Sequence, residues 1–219
     1  PAAAIDGVWE CPDLFPLTLD GEEIWVLLVS LNPGGLYGSG TQYFIGDFDG
    51  TNFTPRYSTN EPRWIDYGRD NYAGVTFNNE PSGKRILIGW MSNWENIKDH
   101  PETTWTNAMT IPRELGLTRV KDEIVLTQQP MCDNLFEYKV TAPTTGSLGL
   151  EGFVRLGYNA DKKTIFINEY EAPYEVTEDL LHLRIVVDRS SVELFTGDGI
   201  RSITLAVFPL AGEARTLTP

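Results

Sequence analysis

The sequence predicts an all-β chain. Short runs of β-branched and aromatic residues lie between clusters of Gly, Pro, Asn and Asp, and no apolar repeat at helical spacing is sustained. A third observation divides the chain: beyond about residue 130 the alternation of apolar and polar residues becomes cleaner, as a sheet with one wet face requires.

In the first region strands are predicted over 25–31, 42–48, 72–78, 85–93, 108–113 and 124–128. Turns between them are supplied by Asn32-Pro33-Gly34-Gly35, Asp49-Gly50 and Pro81-Ser82-Gly83, since Gly accepts positive φ, Pro presets φ, and Asn or Asp bonds its own backbone. Strands joined in succession by turns make antiparallel meanders. The second region predicts strands over 152–158, 164–167, 183–187, 191–195 and 203–208. Its alternation is plainest in Leu183-Arg184-Ile185-Val186-Val187-Asp188 and Val192-Glu193-Leu194-Phe195, which points to a two-sheet sandwich. The expected domains are therefore 1–130 and 131–219. For the first of them, strand pattern leaves propeller, sandwich and barrel open.

Composition narrows the partners. The 219 residues with 41% hydrophobic content suffice for a packed core, and 17 basic against 31 acidic residues give a formal charge of −14. That charge repels polyphosphates and anionic membranes, so neither nucleic acid nor a membrane is expected as a partner. No run approaches the roughly 20 apolar residues that span a bilayer. The opening Pro1-Ala2-Ala3-Ala4-Ile5-Asp6-Gly7 lacks the charged start and apolar run of a signal peptide. Cys11 and Cys132 show no metal-ligand spacing and leave the redox compartment open. His100 and His182, far apart in sequence, read as surface or loop residues. Asn52-Phe53-Thr54 is a formal glycosylation sequon.

The segment richest in chemistry is Gly7-Val8-Trp9-Glu10-Cys11-Pro12-Asp13-Leu14-Phe15. A glutamate among bulky neighbours is expected to lose water, which favours the protonated form that a general acid needs. The plain alternative is a strand-end glutamate bound to a backbone amide. Further segments follow: Trp25-Val26-Leu27-Leu28-Val29-Ser30-Leu31-Asn32-Pro33-Gly34, Gly40-Thr41-Gln42-Tyr43-Phe44-Ile45-Gly46-Asp47-Phe48-Asp49-Gly50-Thr51 and Trp64-Ile65-Asp66-Tyr67-Gly68-Arg69-Asp70-Asn71-Tyr72-Ala73. After these come Gly89-Trp90-Met91-Ser92-Asn93-Trp94, Ile111-Pro112-Arg113-Glu114-Leu115 and Val187-Asp188-Arg189-Ser190-Ser191-Val192-Glu193-Leu194-Phe195.

In this order, the segments resemble glycoside hydrolase family 32, the family of invertases, levanases and exo-inulinases. The resemblance covers nearly the whole chain and thins between about 131 and 182. It implies a fold: residues 1–130 would be the later blades of a five-bladed β-propeller, with a C-terminal β-sandwich packed on them. It also implies a chemistry, in which Glu10 is the acid/base catalyst of a retaining glycosidase that releases terminal β-fructose from sucrose, levan or inulin. No cofactor is implied.

The family's nucleophile is an aspartate in a Trp-Met-Asn-Asp-Pro-Asn-Gly type motif, and a transition-state aspartate sits in an Arg-Asp-Pro motif. Neither motif is present in these 219 residues, and Arg69-Asp70-Asn71 matches a different block of the family. The chain alone is therefore expected to be inactive, either as one piece of a split enzyme whose partner is a separate N-terminal half or as part of a polypeptide whose upstream half lies outside these residues. The acidic composition fits an extracellular rather than cytoplasmic location. A half-propeller would also expose edges that missing blades cover. By resemblance Asp70 and Tyr72 belong to the pocket rim, Asp70 either taking a sugar hydroxyl or anchoring a loop; Asn71 replaces the family's usual aromatic. Trp90, Asn93 and Trp94 combine indoles that can stack on a furanose with an amide that can bond its hydroxyls, although Trp90 reads equally as core. Cys11 either adjusts the surroundings of Glu10 or is a small buried hydrophobe. Trp105-Thr106-Asn107-Ala108-Met109 departs from the family's Trp-Arg-Ser pattern, which removes an arginine from the outer subsites. The readings from other classes are a non-catalytic sugar-binding remnant and a fructosyltransferase.

Overall fold

The computed structural model describes residues 4–57, 61–101, 107–132, 137–143, 148–176, 179–208 and 217–218. Among them the chain forms seventeen strands in four antiparallel sheets and one short 3-10 turn at Ile97–Asp99. The first sheet runs in chain order through β1 (Val8–Leu19), β2 (Glu22–Gly35), β3 (Gly38–Phe48) and β4 (Phe53–Pro55). The second does the same through β5 (Tyr72–Thr76), β6 (Arg85–Trp90), β7 (Arg113–Val120) and β8 (Glu123–Pro130). Each is a four-stranded meander. Between β1 and β2 the two-residue Asp20-Gly21 turn has both residues at positive φ, 54° and 81°, the geometry that matches strand twist and favours Asp-Gly.

These sheets pack face to face. Phe15, Ile24, Val26, Leu28, Tyr43 and Ile45 of the first meet Leu87, Leu115, Ile124 and Leu126 of the second, with Ile65 between them. Asp13 adds a polar stitch, its Oδ2 accepting from Thr76 N and Thr76 Oγ1 at 2.7 Å each, so β1 is held against β5.

The remaining strands are β9 (Glu137–Pro143), β10 (Leu148–Gly152), β11 (Leu156–Asn159), β12 (Thr164–Ile167), β13 (Tyr170–Pro173), β14 (Leu180–Val187), β15 (Ser191–Thr196), β16 (Ser202–Ala206) and β17 (Leu217–Thr218). They form sheets ordered β16-β15-β14-β9 and β13-β12-β11-β10-β17. Alternation works as expected on β14, where Leu181, Leu183, Ile185 and Val187 enter the core, joined by Val192, Leu194, Ile203 and Leu205 from neighbouring strands and by Leu156, Ile165 and Ile167 from the opposite sheet.

Several expected strands shift. The run 108–113 is extended and touches β6 through the Trp90–Met109 bridge, but β7 begins only at Arg113, because Pro112 has no N–H to carry a ladder onward. Strand β1 is absent from the sequence reading. Pro12 and Pro16 disguise it, and they are accommodated because β1 is the outer strand of its sheet and bulges between Glu10 and Asp13. Strands β4, β9, β13 and β17 also go unpredicted, and the run expected over 152–158 divides between β10 and β11, which pair with each other.

The two regions meet in a buried polar junction. Residues 66–70, between β4 and β5, lie along the outer edge of β16: Tyr67 N donates to Ser202 O at 2.9 Å and Asp70 N to Thr204 O at 3.1 Å. Contact is so close that a Cβ on Gly68 would stand 2.1 Å from Thr204 O, so no side chain fits there. Asp66 accepts from six donors, namely Gly68 N, Asn71 Nδ2, Arg113 Nη1, Ser202 Oγ, Thr204 N and Thr204 Oγ1. Arg113, fully buried on β7, bonds Asp66 at 2.9 Å and Glu193 at 2.7 Å, with the Phe195 ring 4.8 Å from its guanidinium carbon. Burial alone would raise the pKa of Asp66, but the Arg113 charge and the donors around it hold the carboxyl below its ordinary value. Glu193 goes the other way: burial raises it, and Arg113 with the Ile111 N–H offsets only part of that.

Candidate active site

Glu10 sits on β1 immediately before the bulge. Cys11, the next residue, has φ of 46°, and this left-handed step re-aims the strand so that Glu10 faces β5. There the Tyr72 hydroxyl donates to Glu10 Oε2. The phenol is 3% exposed, and burial followed by the neighbouring carboxylate pushes its pKa well above the ordinary tyrosine value, keeping it a donor. Two contacts set this pair: the Asp13–Thr76 stitch on one side, and on the other the aromatic row that begins with Tyr72. Trp90 lies 6.4 Å from Tyr72 by ring centroids, and Trp94 meets Trp90 edge-on at 5.0 Å. Trp90 is half-buried and donates through Nε1 to Asn107 at 2.8 Å, so it forms the inner wall; Trp94 is 54% exposed and offers a free ring face.

The desolvation expected for Glu10 is not found in this chain: Glu10 is exposed. Its bulky neighbours point elsewhere. Trp9 turns to stack on Phe44 at 6.1 Å and donates to Ile5 O, while Cys11 and Pro12 are themselves exposed. Glu10 lines neither the cleft of about 560 Å³ beside Tyr43, Trp64 and Tyr67 nor the one of about 150 Å³ beside Thr110, Ile111 and Glu193. The buried-hydrophobe reading of Cys11 is likewise overturned, since its thiol is free and exposed.

Asp70 and Asn93 lie behind the site and face the protein interior. Asp70 is 0% exposed; its Oδ2 accepts from Ala206 N at 2.9 Å and from Arg69 Nε at 3.0 Å. Of the two roles expected for Asp70, this geometry fits the anchor and not the sugar acceptor. Asn93 is also 0% exposed, donating to the carbonyls of Tyr37, Ser39 and Arg69 and accepting from the N–H groups of Ser39 and Glu95. Both amide ends are engaged, so a sugar hydroxyl has no free group to meet. What Asn93 does is fix the turn that presents Trp94, whose own N–H donates to Ser39 Oγ at 3.2 Å. Asn71, in place of an aromatic, packs into the space left by Gly89 and donates to Asp66 at 3.2 Å.

Asp13, Asp66 and Arg113 had no role in the sequence reading, although each lies inside a segment quoted for the resemblance. The available signal was local: Asp13 stands between Pro12 and Leu14, and Asp66 between Ile65 and Tyr67. Trp105 and Thr106 lie outside the described residues. His182 stands exposed on β14 beside Thr141, and His100 packs tilted against Phe208 at 4.9 Å between ring centroids. Among the described residues no cluster of His, Cys, Asp and Glu could hold a metal ion, and no helix is long and apolar enough to cross a membrane.

Comparison with known proteins gives a consistent picture. The family model for the glycosyl hydrolases family 32 N-terminal domain matches residues 2–130, and that for the family 32 C terminal matches residues 122–218. A levanase of Bacillus subtilis (strain 168) is 36% identical over 264 aligned positions, covering 93% of this chain and 39% of the relative. The extracellular exo-inulinase inuE of Aspergillus niger is 34% identical, covering 95% of this chain and 51% of that protein. Among solved structures, exo-inulinase from Aspergillus awamori superimposes with a TM-score of 0.81 at 30% identity over 98% of this chain and 54% of its own. The chain thus spans about half the length of the relatives it matches, or less. Its first two sheets are later blades of the five-bladed propeller of these enzymes, its last two their β-sandwich, and the chain belongs to glycosyl hydrolases family 32.

Proposed function

We propose that this chain carries the acid/base half of a secreted, retaining β-fructosidase acting on terminal β-linked fructose of levan, inulin or sucrose. One observation carries the reading: at the bulge of β1, Glu10 is gripped through one carboxyl oxygen by Tyr72, beside an aromatic row that ends in the exposed Trp94. Its other oxygen is then free to serve the leaving group. In the first step an outside carboxylate attacks the anomeric carbon, while Glu10 gives its proton to the glycosidic oxygen as that bond breaks. In the second, Glu10 takes a proton from the water that attacks the same carbon, and fructose leaves. Such pairs stand about 5–5.5 Å apart. The attacking carboxylate, and the walls that would remove Glu10 from water, come from a part of the enzyme outside these residues. Secretion is supported by relatives named as extracellular. Cys11, Trp90 and Trp94 border the sugar in this reading, with Asp70 and Asn93 holding the frame. No cofactor enters either step.

Complementation tests the whole reading. The 219-residue chain alone should release no fructose from sucrose, levan or inulin, and mixing it with the polypeptide bearing the nucleophile motif should restore release. Full activity of the isolated chain would sink the assignment. A second expectation concerns the exposed indole: Trp94→Ala in the complemented enzyme should raise KM about tenfold with a smaller change in kcat, the scale of one lost aromatic stacking contact. Initial rates across a substrate series would check it.

A further inference from the structure

We infer that the outer strand of the sandwich, β16, positions the catalytic pair, acting through Asp66, Gly68 and Asp70 on Tyr72 and so on Glu10. This rests on the acid/base role proposed for Glu10 and gives the C-terminal domain a part in turnover.

The path is continuous and polar. Thr204 N and Oγ1 donate to the two oxygens of Asp66 at 2.9 Å and 2.6 Å, and Ser202 Oγ reaches Oδ2 at 3.0 Å. Ala206 N fixes Asp70 at 2.9 Å, and Arg69 Nη2 returns a bond to Ala206 O at 3.2 Å. Residues 66–70 therefore behave as one more strand laid on the sandwich edge, although they are joined covalently to the propeller. Two outputs leave this strip toward the site. Asn71 Nδ2 is bonded to Asp66 Oδ2 at 3.2 Å, and Asn71 directly precedes Tyr72, whose hydroxyl holds Glu10. Asn93 Nδ2 is bonded to Arg69 O at 2.9 Å, and Asn93 directly precedes Trp94. The groups on this path are buried: Asp66 is 8% exposed, and Asp70, Asn93 and Thr204 are each 0% exposed. Buried, hydrogen-bonded groups transmit displacement instead of absorbing it. A shift of β16 against the strip accordingly moves Tyr72 and Trp94 together, and misplacement by about 1 Å far from the chemistry can cost about a hundredfold in rate.

Leaving-group dependence separates positioning from mere loss of folded protein. In the complemented enzyme, kcat/KM covers steps up to departure of the leaving group, which needs acid help for sucrose and far less for a p-nitrophenyl fructoside. Thr204→Val removes the hydroxyl that donates to Asp66 and accepts from Arg113 Nη2, while leaving every residue of the first two sheets unchanged. It should lower kcat/KM for sucrose about tenfold more than for the nitrophenyl substrate, and Thr204→Ser, which keeps the hydroxyl, should restore the ratio. Ser202→Ala, which removes the hydroxyl that reaches Asp66 Oδ2 at 3.0 Å, gives the same readout by a separate route should Thr204→Val fail to fold. Equal losses on both substrates in the folded variant, or no loss, overturn the inference when Glu10→Gln does show the selectivity. If Glu10→Gln also treats the substrates alike, the acid/base assignment itself has failed and this inference with it.

Discussion

Glu10→Gln should lower kcat/KM for sucrose by about two to four orders of magnitude in the complemented enzyme, the range contributed by a positioned acid/base. An amide is close to isosteric with the carboxyl and can still accept from Tyr72, so the Tyr72 contact and the β1 bulge survive the change. What is lost is the proton for the glycosidic oxygen and the base for the attacking water. A fructoside whose leaving group departs unaided should retain most of its first step and then stall at the second, so a burst of nitrophenol followed by slow turnover is expected. Added azide, which needs no base, should speed that second step and yield fructosyl azide. Stopped-flow absorbance and product analysis would follow both; unchanged sucrose turnover would remove Glu10 from the mechanism.

The second large effect lies in the domain junction. Arg113→Ala should destabilise the protein by about 3–5 kcal/mol, because it leaves Asp66 and Glu193 buried without their shared cation. Denaturant unfolding followed by far-UV circular dichroism would measure it. The two carboxylates should respond unequally. Asp66 accepts from six donors and is held below its ordinary pKa, so Asp66→Asn breaks many bonds. Glu193 is raised by burial and only partly compensated, so Glu193→Gln should cost clearly less. Their pH dependences have opposite sign. The Asp66 contribution is present above the unfolded carboxylate pKa and fades as pH falls, whereas that of Glu193 is full below its unfolded pKa and fades as pH rises through the raised folded value. Removing Glu193 should therefore flatten the decline in stability that begins as pH rises above the ordinary glutamate pKa, and leave the loss due to Asp66 at lower pH in place. A Glu193→Gln cost equal to that of Arg113→Ala would contradict this division.

Much of this architecture can be read from local pattern. The alternation in Leu183-Arg184-Ile185-Val186-Val187 forces one face inward, and β14 buries Leu183, Ile185 and Val187 together. Where a local rule fails, a nonlocal one has taken over: Pro12 and Pro16 argue against a strand, yet β1 is an outer strand with a bulge, where prolines do no harm. The segment around Glu10 was legible through its neighbours Trp9, Cys11 and Pro12, but the surroundings of Glu10 were not. Whether a flanking indole covers a carboxylate depends on where that indole packs, and Trp9 packs on Phe44, a residue of β3. Asp70 and Asn93 illustrate the same limit. Sequence shows a carboxylate and an amide next to aromatic residues, which suits a sugar site; the Ala206 N–H that occupies Asp70 lies 136 positions away and leaves no mark on the local pattern.

The close seating of Gly68 on Thr204 bears on how such enzymes can be recombined. A chimera cut at the propeller–sandwich border would keep residues 66–70 from one parent and take residues 202–206 from the other, two surfaces with no slack between their backbones. Grafts that carry both strips from a single parent should retain the seating of Gly68 on Thr204, while those that mix them put that contact at risk wherever the linker is cut.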